Sequence, residues 1–149
     1  MPDTIRQQII DNIKSTLDAV IEFEGEAEVN APEELDLETA ALPKVFIDSN
    51  IEDENLEDMD IGHEAFSWKP IISVYFRVKG TKNNKEPETM LGILHKAMTE
   101  DRRRGGLADE TKRLTADIVE VRSEYGLIQA IVTMWQIDYS HTDGDPYSQ

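Results

Sequence analysis

The closing third of the chain does most to limit what it can fold into. A stretch with Met90, Ile93, Leu94, Ala97 and Met98 at helical spacing runs into Arg102-Arg103-Arg104-Gly105-Gly106-Leu107-Ala108-Asp109. Two β-rich runs follow, Leu114 to Arg122 and Leu127 to Tyr139, before Asp143-Gly144-Asp145-Pro146-Tyr147. Pro87 suits the first turn of the helix, where its missing N–H would have no partner anyway. The three arginines set cations at the negative end of the helix dipole, and the glycine pair supplies a left-handed stop. The two runs predict a hairpin about Ser123-Glu124-Tyr125-Gly126. The second run is apolar on both faces, with Ile131, Trp135 and Ile137 on one and Ile128, Ala130, Val132 and Met134 on the other. Such a strand is covered on both sides, here by helices on one and a neighbouring subunit on the other. Nothing in this unit has catalytic spacing, which points towards assembly rather than turnover.

The front half supplies the rest of the fold. Thr4-Ile5-Arg6-Gln7 fits a capping box. Ile5, Ile9, Ile13 and Leu17, joined by Ile10, Val20 and Ile21, form one apolar face at helical spacing. Glu22, Glu24 and Gly25 end a helix of roughly 20 residues, about 30 Å. A strand is expected at Ala27 to Val29, turning at Asn30 to Pro32, and another at Lys44 to Asp48. Glu52 to Asp60 reads as a long acidic loop. Phe66 to Pro70 leads into a half-exposed strand from Ile71 to Val78, with Pro70 at its start or on an unpaired edge. Gly80 to Glu86 is a polar turn. The expected architecture is α+β in one domain over 1–149, with an N-terminal and a second helix on a mostly antiparallel four- to five-stranded sheet that closes on the hairpin.

Charge is unevenly placed. Residues 22–64 hold sixteen acids against Lys44 alone, and residues 65–149 hold twelve acids and twelve bases, within a total of −16. An acidic segment of this kind repels phosphate, which argues against tight nucleic-acid binding; it reads as a solvated acidic region. The chain has no cysteine, which excludes disulfide and thiolate chemistry. No basic and apolar leader opens the sequence, and no apolar run approaches the ~18 residues of a membrane span. A soluble protein made in the cytoplasm is the expectation.

Motifs for chemistry are missing. His63, His95 and His141 fall in a loop, on a solvent-facing helix position and at a strand end, without metal spacing. No Gly-x-Ser-x-Gly elbow, phosphate loop or dinucleotide fingerprint occurs. Asp48-Ser49-Asn50-Ile51-Glu52 opens like a calcium loop, but Asp53 stands where the turn needs glycine. Arg102 to Arg104 are offset by Glu100, Asp101, Asp109 and Glu110, which weakens a nucleic-acid patch. No enzyme activity, metal or cofactor is expected.

The helix Met90-Leu91-Gly92-Ile93-Leu94-His95-Lys96-Ala97-Met98, the break Gly105-Gly106-Leu107-Ala108-Asp109, and the end Ile137-Asp138-Tyr139-Ser140-His141-Thr142-Asp143-Gly144-Asp145-Pro146-Tyr147 together resemble the tail terminator, or tail completion, proteins of long-tailed bacteriophages. The likeness covers roughly residues 85–147, and the front half in element order only; the acidic segment 22–64 departs from it. The resemblance implies a non-enzymatic α+β subunit, six copies of which form a ring on the tail tube. The ring's partners would be itself, the tail tube protein and a head–tail connector or neck protein. It would sit in the virion at the tail–neck junction, with DNA only in passage and no membrane. Interface candidates are Arg102, Arg103, Arg104, Trp135, Tyr139, Asp143, Asp145 and Tyr147. Glu52, Asp53, Glu54, Glu57, Asp58 and Asp60 are candidates for a channel wall or rim that repels the genome. Other readings are a different neck or head-closure subunit, an acidic adapter or assembly chaperone, and an enzyme whose acids converge in one pocket.

Overall fold

A computed structural model describes residues 3–23, 27–29, 43–48, 52–54, 62–77, 85–123, 126–142 and 144–149. The chain forms helix α1 (Ile5–Asp18), strands β1 (Glu28–Val29), β2 (Lys44–Asp48), β3 (Glu52–Glu54), β4 (His63–Trp68) and β5 (Ile71–Arg77), helix α2 (Lys85–Glu100), and strands β6 (Glu110–Ser123) and β7 (Gly126–Thr142). The fold is α+β, and β6 with β7 is the expected C-terminal hairpin.

Among the described residues, seven strand segments lie along five ribbons. β4 and β5 keep one register against β7: His63 faces Thr142, Trp68 faces Ile137, Ile71 faces Met134 and Arg77 faces Ile128. They are one long strand broken at Lys69-Pro70. Proline has no N–H for the ladder, yet the Pro70 carbonyl still accepts from the Trp135 N–H at 3.0 Å. β2 and β3 follow one another along the outer edge of that strand, β2 on β5 and β3 on β4. β1 runs parallel to β2 outside it, and β6 flanks the far edge of β7.

One face of the sheet carries both helices. Ile5, Ile9, Ile13 and Leu17 of α1, with Leu94 and Met98 of α2, pack on Val45, Ile47, Trp68, Ile72, Val74, Trp135, Ile137 and Tyr139. Burying each large side chain contributes about 1.5–3 kcal/mol, so this layer is the main source of stability. A polar chain runs through it: the Trp135 indole N–H donates to Thr133 Oγ1 at 2.8 Å, and that hydroxyl donates to the Ile72 carbonyl at 2.8 Å. On the opposite face Phe46, Ile128 and Ala130 are also buried, and the Phe46 ring stands edge-on to Tyr75. Val132 and Met134, expected on this face, are half-buried. Ser73 is buried too, so β5 is not the half-exposed strand its alternation suggested.

The capping box is present: Gln7 N–H donates to Thr4 Oγ1 at 3.1 Å, and Thr4 N–H to Gln7 Oε1 at 2.8 Å. Helix α1 is shorter than its apolar spacing implied, 14 residues with Ala19 at its C-cap. Asp18 accounts for the stop. Its carboxylate accepts from Lys14 Nζ at 2.8 Å and from the Ala27 N–H at 2.7 Å, turning the chain back. A 3-10 turn over Ile21–Phe23 then buries Phe23 and leaves Ile21 86 % exposed. Two further readings change. Glu52–Glu54 is a strand held by backbone pairing to β4 rather than loop, and His63 lies on β4 rather than in a loop. Lys85 and Glu86 already belong to α2; the expected turns at 30–32 and 80–84 lie outside the described residues.

Burial pushes the Asp18 carboxyl up, but Lys14 and the Ala27 N–H outweigh it and hold it below its ordinary 3.8. A depressed carboxyl stabilises the fold above the unfolded value, and that contribution is lost as pH falls through the folded one. The side chain is 28 % exposed, so solvent screens part of the effect. Asp18→Asn should cost about 1 kcal/mol at pH 7. In urea titrations the gap to wild type should shrink at pH 3; an equal gap at both would show that the charge contributes nothing.

Candidate assembly interface

Helix α2 ends in three consecutive left-handed residues, Arg104 (φ 50°), Gly105 (φ 68°) and Gly106 (φ 91°). The glycines adopt this conformation at little cost; Arg104 does so under constraint. Its guanidinium is fully buried, and Nη2 donates to the carbonyls of Met98 and Asp101. It thus caps the Met98 carbonyl and adds to the backbone bond by which the Asp101 carbonyl accepts from the Arg104 N–H at 3.2 Å, at the negative end of the helix dipole. Burial lowers its pKa, opposed by Asp101. The Asp101 carboxylate in turn accepts from the Gly105 N–H at 2.7 Å. Arg102 and Arg103 are exposed, with Arg102 3.8 Å from Glu110. The expected interface trio is therefore two surface arginines and one internal cap.

β6 follows as the outermost strand. Among the described residues its outer edge has no strand partner. Lys112 to Thr115 and Asp117 to Glu120 are exposed, and this stretch shows solvent Leu114 (40 %), Ile118 (43 %) and Val119 (43 %). The register slips between Arg113 and Thr115, making Leu114 a bulge. An open edge with apolar side chains is a template for pairing with another chain. Among the described residues, the opposite margin of the sheet ends in β3 and β1.

Between α2 and β6 lies a shallow groove of about 490 Å³ lined by Leu91, Gly92, His95, Lys96, Thr99 and Arg113. His95 is not the solvent-facing residue expected. Its ring centroid sits 5.8 Å from that of Trp135, and its Nδ1 is buried without a hydrogen-bond partner. Burial first, then Arg113 and Arg102, push its pKa below the ordinary 6.5. The unfolded chain then takes the proton at higher pH than the folded one, so stability falls as pH drops below 6.5. His95→Gln should flatten the change in unfolding free energy between pH 7 and 5; an unchanged slope would place the proton uptake elsewhere.

The remaining candidates scatter. Trp135 (0 % exposed) and Tyr139 (4 %) belong to the core, not to a surface. Tyr139 stacks on Phe66, 5.6 Å between centroids. Tyr147 is exposed and Asp145 half-buried, in a tail that folds back along the molecule. There the Pro146 carbonyl accepts from the Ile5 N–H at 2.8 Å, Gly144 N–H donates to Glu64 Oε1 at 2.6 Å, and Gln149 Nε2 donates to the Leu107 carbonyl at 2.6 Å. Glu52, Asp53 and Glu54 lie on β3. Asp143, Glu57, Asp58 and Asp60 lie outside the described residues. Sequence reasoning missed the β6 edge, where Leu114-Thr115-Ala116-Asp117-Ile118-Val119 breaks clean alternation; that break was the available signal. Among the described residues, no three His, Asp or Glu converge to hold a metal, and no helix is long and apolar enough to cross a membrane.

Comparison with known protein families and with curated protein sequences finds no match to this chain.

Proposed function

We propose that this chain is a virion structural subunit that closes into a ring, of six copies, on a phage tail tube. The ring ends tube polymerisation and offers its other face to the head connector or a neck protein. The likeness of residues 85–147 to tail terminators supports this reading. The observation that carries it is the sheet margin at β6, which among the described residues has no strand partner and shows solvent Leu114, Ile118 and Val119. A ring of identical subunits needs two different surfaces that meet head to tail. Acids at the rim would keep DNA from sticking as it passes, acting only within the ~8 Å over which salt leaves charge unscreened. No cofactor enters this role.

Deleting the gene in its phage and imaging the particles tests the reading. Overlong tails, or such tails without heads, are expected. Headless tails of normal length would move the assignment to another neck component, and normal particles would end it.

A further inference from the structure

We infer that the free chain pairs with a second copy through β6: the two edges lie antiparallel about a two-fold axis at Ala116, joining two sheets into one. The inference goes beyond the ring reading. A two-fold joint is complete at two copies, so the pair is the form that covers this edge before a ring is built, and it must open for the ring to close.

Three observations converge on this partner. First, the edge is charge-polarised. Its exposed bases, Lys112 and Arg113, stand near the start, its exposed acids, Asp117 and Glu120, stand further on, and exposed Leu114, Ile118 and Val119 lie among them. An antiparallel copy reverses that order and brings base to acid, whereas a parallel copy brings like to like. Second, the faces agree. A two-fold axis normal to the sheet keeps each face on its own side. Arg113 pairs with Trp135 and Glu120 with Gln129, which puts both on the helix-bearing face; Lys112 pairs with Gln136 and Asp117 with Val132, which puts both on the other. Each base therefore has an acid on its own face. Third, α2 carries an exposed glycine in mid-helix, Gly92, where glycine is a poor helix former. Among the described residues, a Cβ there would meet nothing within 4 Å, so the surrounding fold does not demand the gap. Gly92 shares the groove over β6 with Arg113, on the side to which the axis brings the second copy's α2. A bare backbone lets two helices lie close.

Charge also selects the register. An axis at Asp117 would set two carboxylates face to face, and an axis at Thr115 would bring Glu120 to Asp109, just before β6; like charges across strands are unfavourable. An axis at Ala116, counted by β7 partners, sets Arg113 across from Ile118 and Lys112 across from Val119. Glu120 and Asp117 are then their diagonal neighbours, about 7–8 Å away and within reach of long side chains. The aliphatic stems of Arg113 and Lys112 cover Ile118 and Val119 while their charged ends extend to the acids. Charges and a bulge blunt an edge against arbitrary strands. A strand of reversed charge order is the one they admit, and a second copy supplies it.

The test uses the full chain. Sedimentation and light scattering across concentration should show a monomer–dimer equilibrium that weakens with salt. Lys112→Glu with Arg113→Glu, or Asp117→Lys with Glu120→Lys, should each weaken pairing about tenfold or more, with thermal melts checking that each variant folds. Mixed together, the two should form a one-to-one pair, because every charge contact across the axis is then opposite in sign; misfolding cannot produce that rescue. Gly92→Leu should raise the melting midpoint of the dilute chain, as a better helix former in open space, yet weaken the pair. The chain has no cysteine, so Ala116→Cys, on the axis, should oxidise to a disulfide-linked dimer. Glu120→Cys should not, since eight residues of strand, about 26 Å, separate it from its own copy. A wild type that stays monomeric or associates without passing through a dimer would overturn the pair. So would association indifferent to charge reversal, or crosslinking through Glu120→Cys in preference to Ala116→Cys. Those results leave the ring reading standing, whereas normal particles from the deleted phage would remove the ring and retain the pair.

Discussion

Replacing Trp135 with alanine is expected to remove about 3–5 kcal/mol of stability. For a chain of this size that corresponds to a midpoint lower by roughly 10 °C. Trp135 is fully buried in the layer between the helices and the sheet, beside the His95 ring, and its N–H anchors Thr133. Phenylalanine separates packing from hydrogen bonding. Trp135→Phe keeps an aromatic ring but leaves Thr133 Oγ1 without its donor. Trp68 is equally buried, yet its indole N–H has no partner, and the Arg6 guanidinium lies 5.2 Å from its ring centre. Trp68→Phe should therefore cost about 1 kcal/mol less than Trp135→Phe, the net worth of one buried hydrogen bond. Equal losses in urea titration would show that the Thr133 bond contributes nothing.

The second large effect is expected at Arg104. Alanine there removes a buried charge and takes the side-chain donor from the Met98 carbonyl at the end of α2, while Asp101 keeps the backbone N–H of residue 104. The expected cost is about 3 kcal/mol. Glycine should be less damaging than alanine by about 1 kcal/mol, because it relieves the left-handed backbone while losing the same cap. Lysine should recover part of the loss, since one nitrogen, Nη2, meets both carbonyls and a three-donor ammonium can stand in for it. Arg102→Ala and Arg103→Ala should stay within about 0.5 kcal/mol of wild type, as exposed positions do. Thermal melts of the five variants rank them directly, and a harmless Arg104→Ala would remove its role as a cap. The ranking bears on function as well. Reversing all three arginines would unfold part of the molecule, whereas reversing Arg102 and Arg103 alone probes a surface.

What could be read from the sequence follows from which forces leave a periodic trace. Thr4 with Gln7, and Ile5 through Leu17, announce helix α1 because capping and burial both act within a few residues. The left-handed turn after α2 was legible from Gly105 and Gly106, and the hairpin from two β-rich runs. β3 was not, because Glu-Asp-Glu carries no apolar alternation and is held by backbone bonds to β4, which residue type does not announce. The continuity of β4 with β5 was hidden by Lys69-Pro70, which looks like punctuation until β7 supplies one register for both sides. The early end of α1 depends on Asp18 reaching the Ala27 N–H, nine residues away. At the candidate interface, Arg104 looked like its two neighbours. Its direction was set by the backbone reversal at φ 50°, a tertiary choice that residue type alone does not encode.

The contact between Ile5 and Pro146 couples helix α1 to the order of synthesis. The first helical N–H finds its acceptor on a residue translated 141 positions later. A growing chain therefore holds its opening helix with an unfinished first turn until the final hairpin and the residues after it have left the exit tunnel. The helix is completed by a partner far away in sequence, so its first turn closes late, after the strands between them have formed.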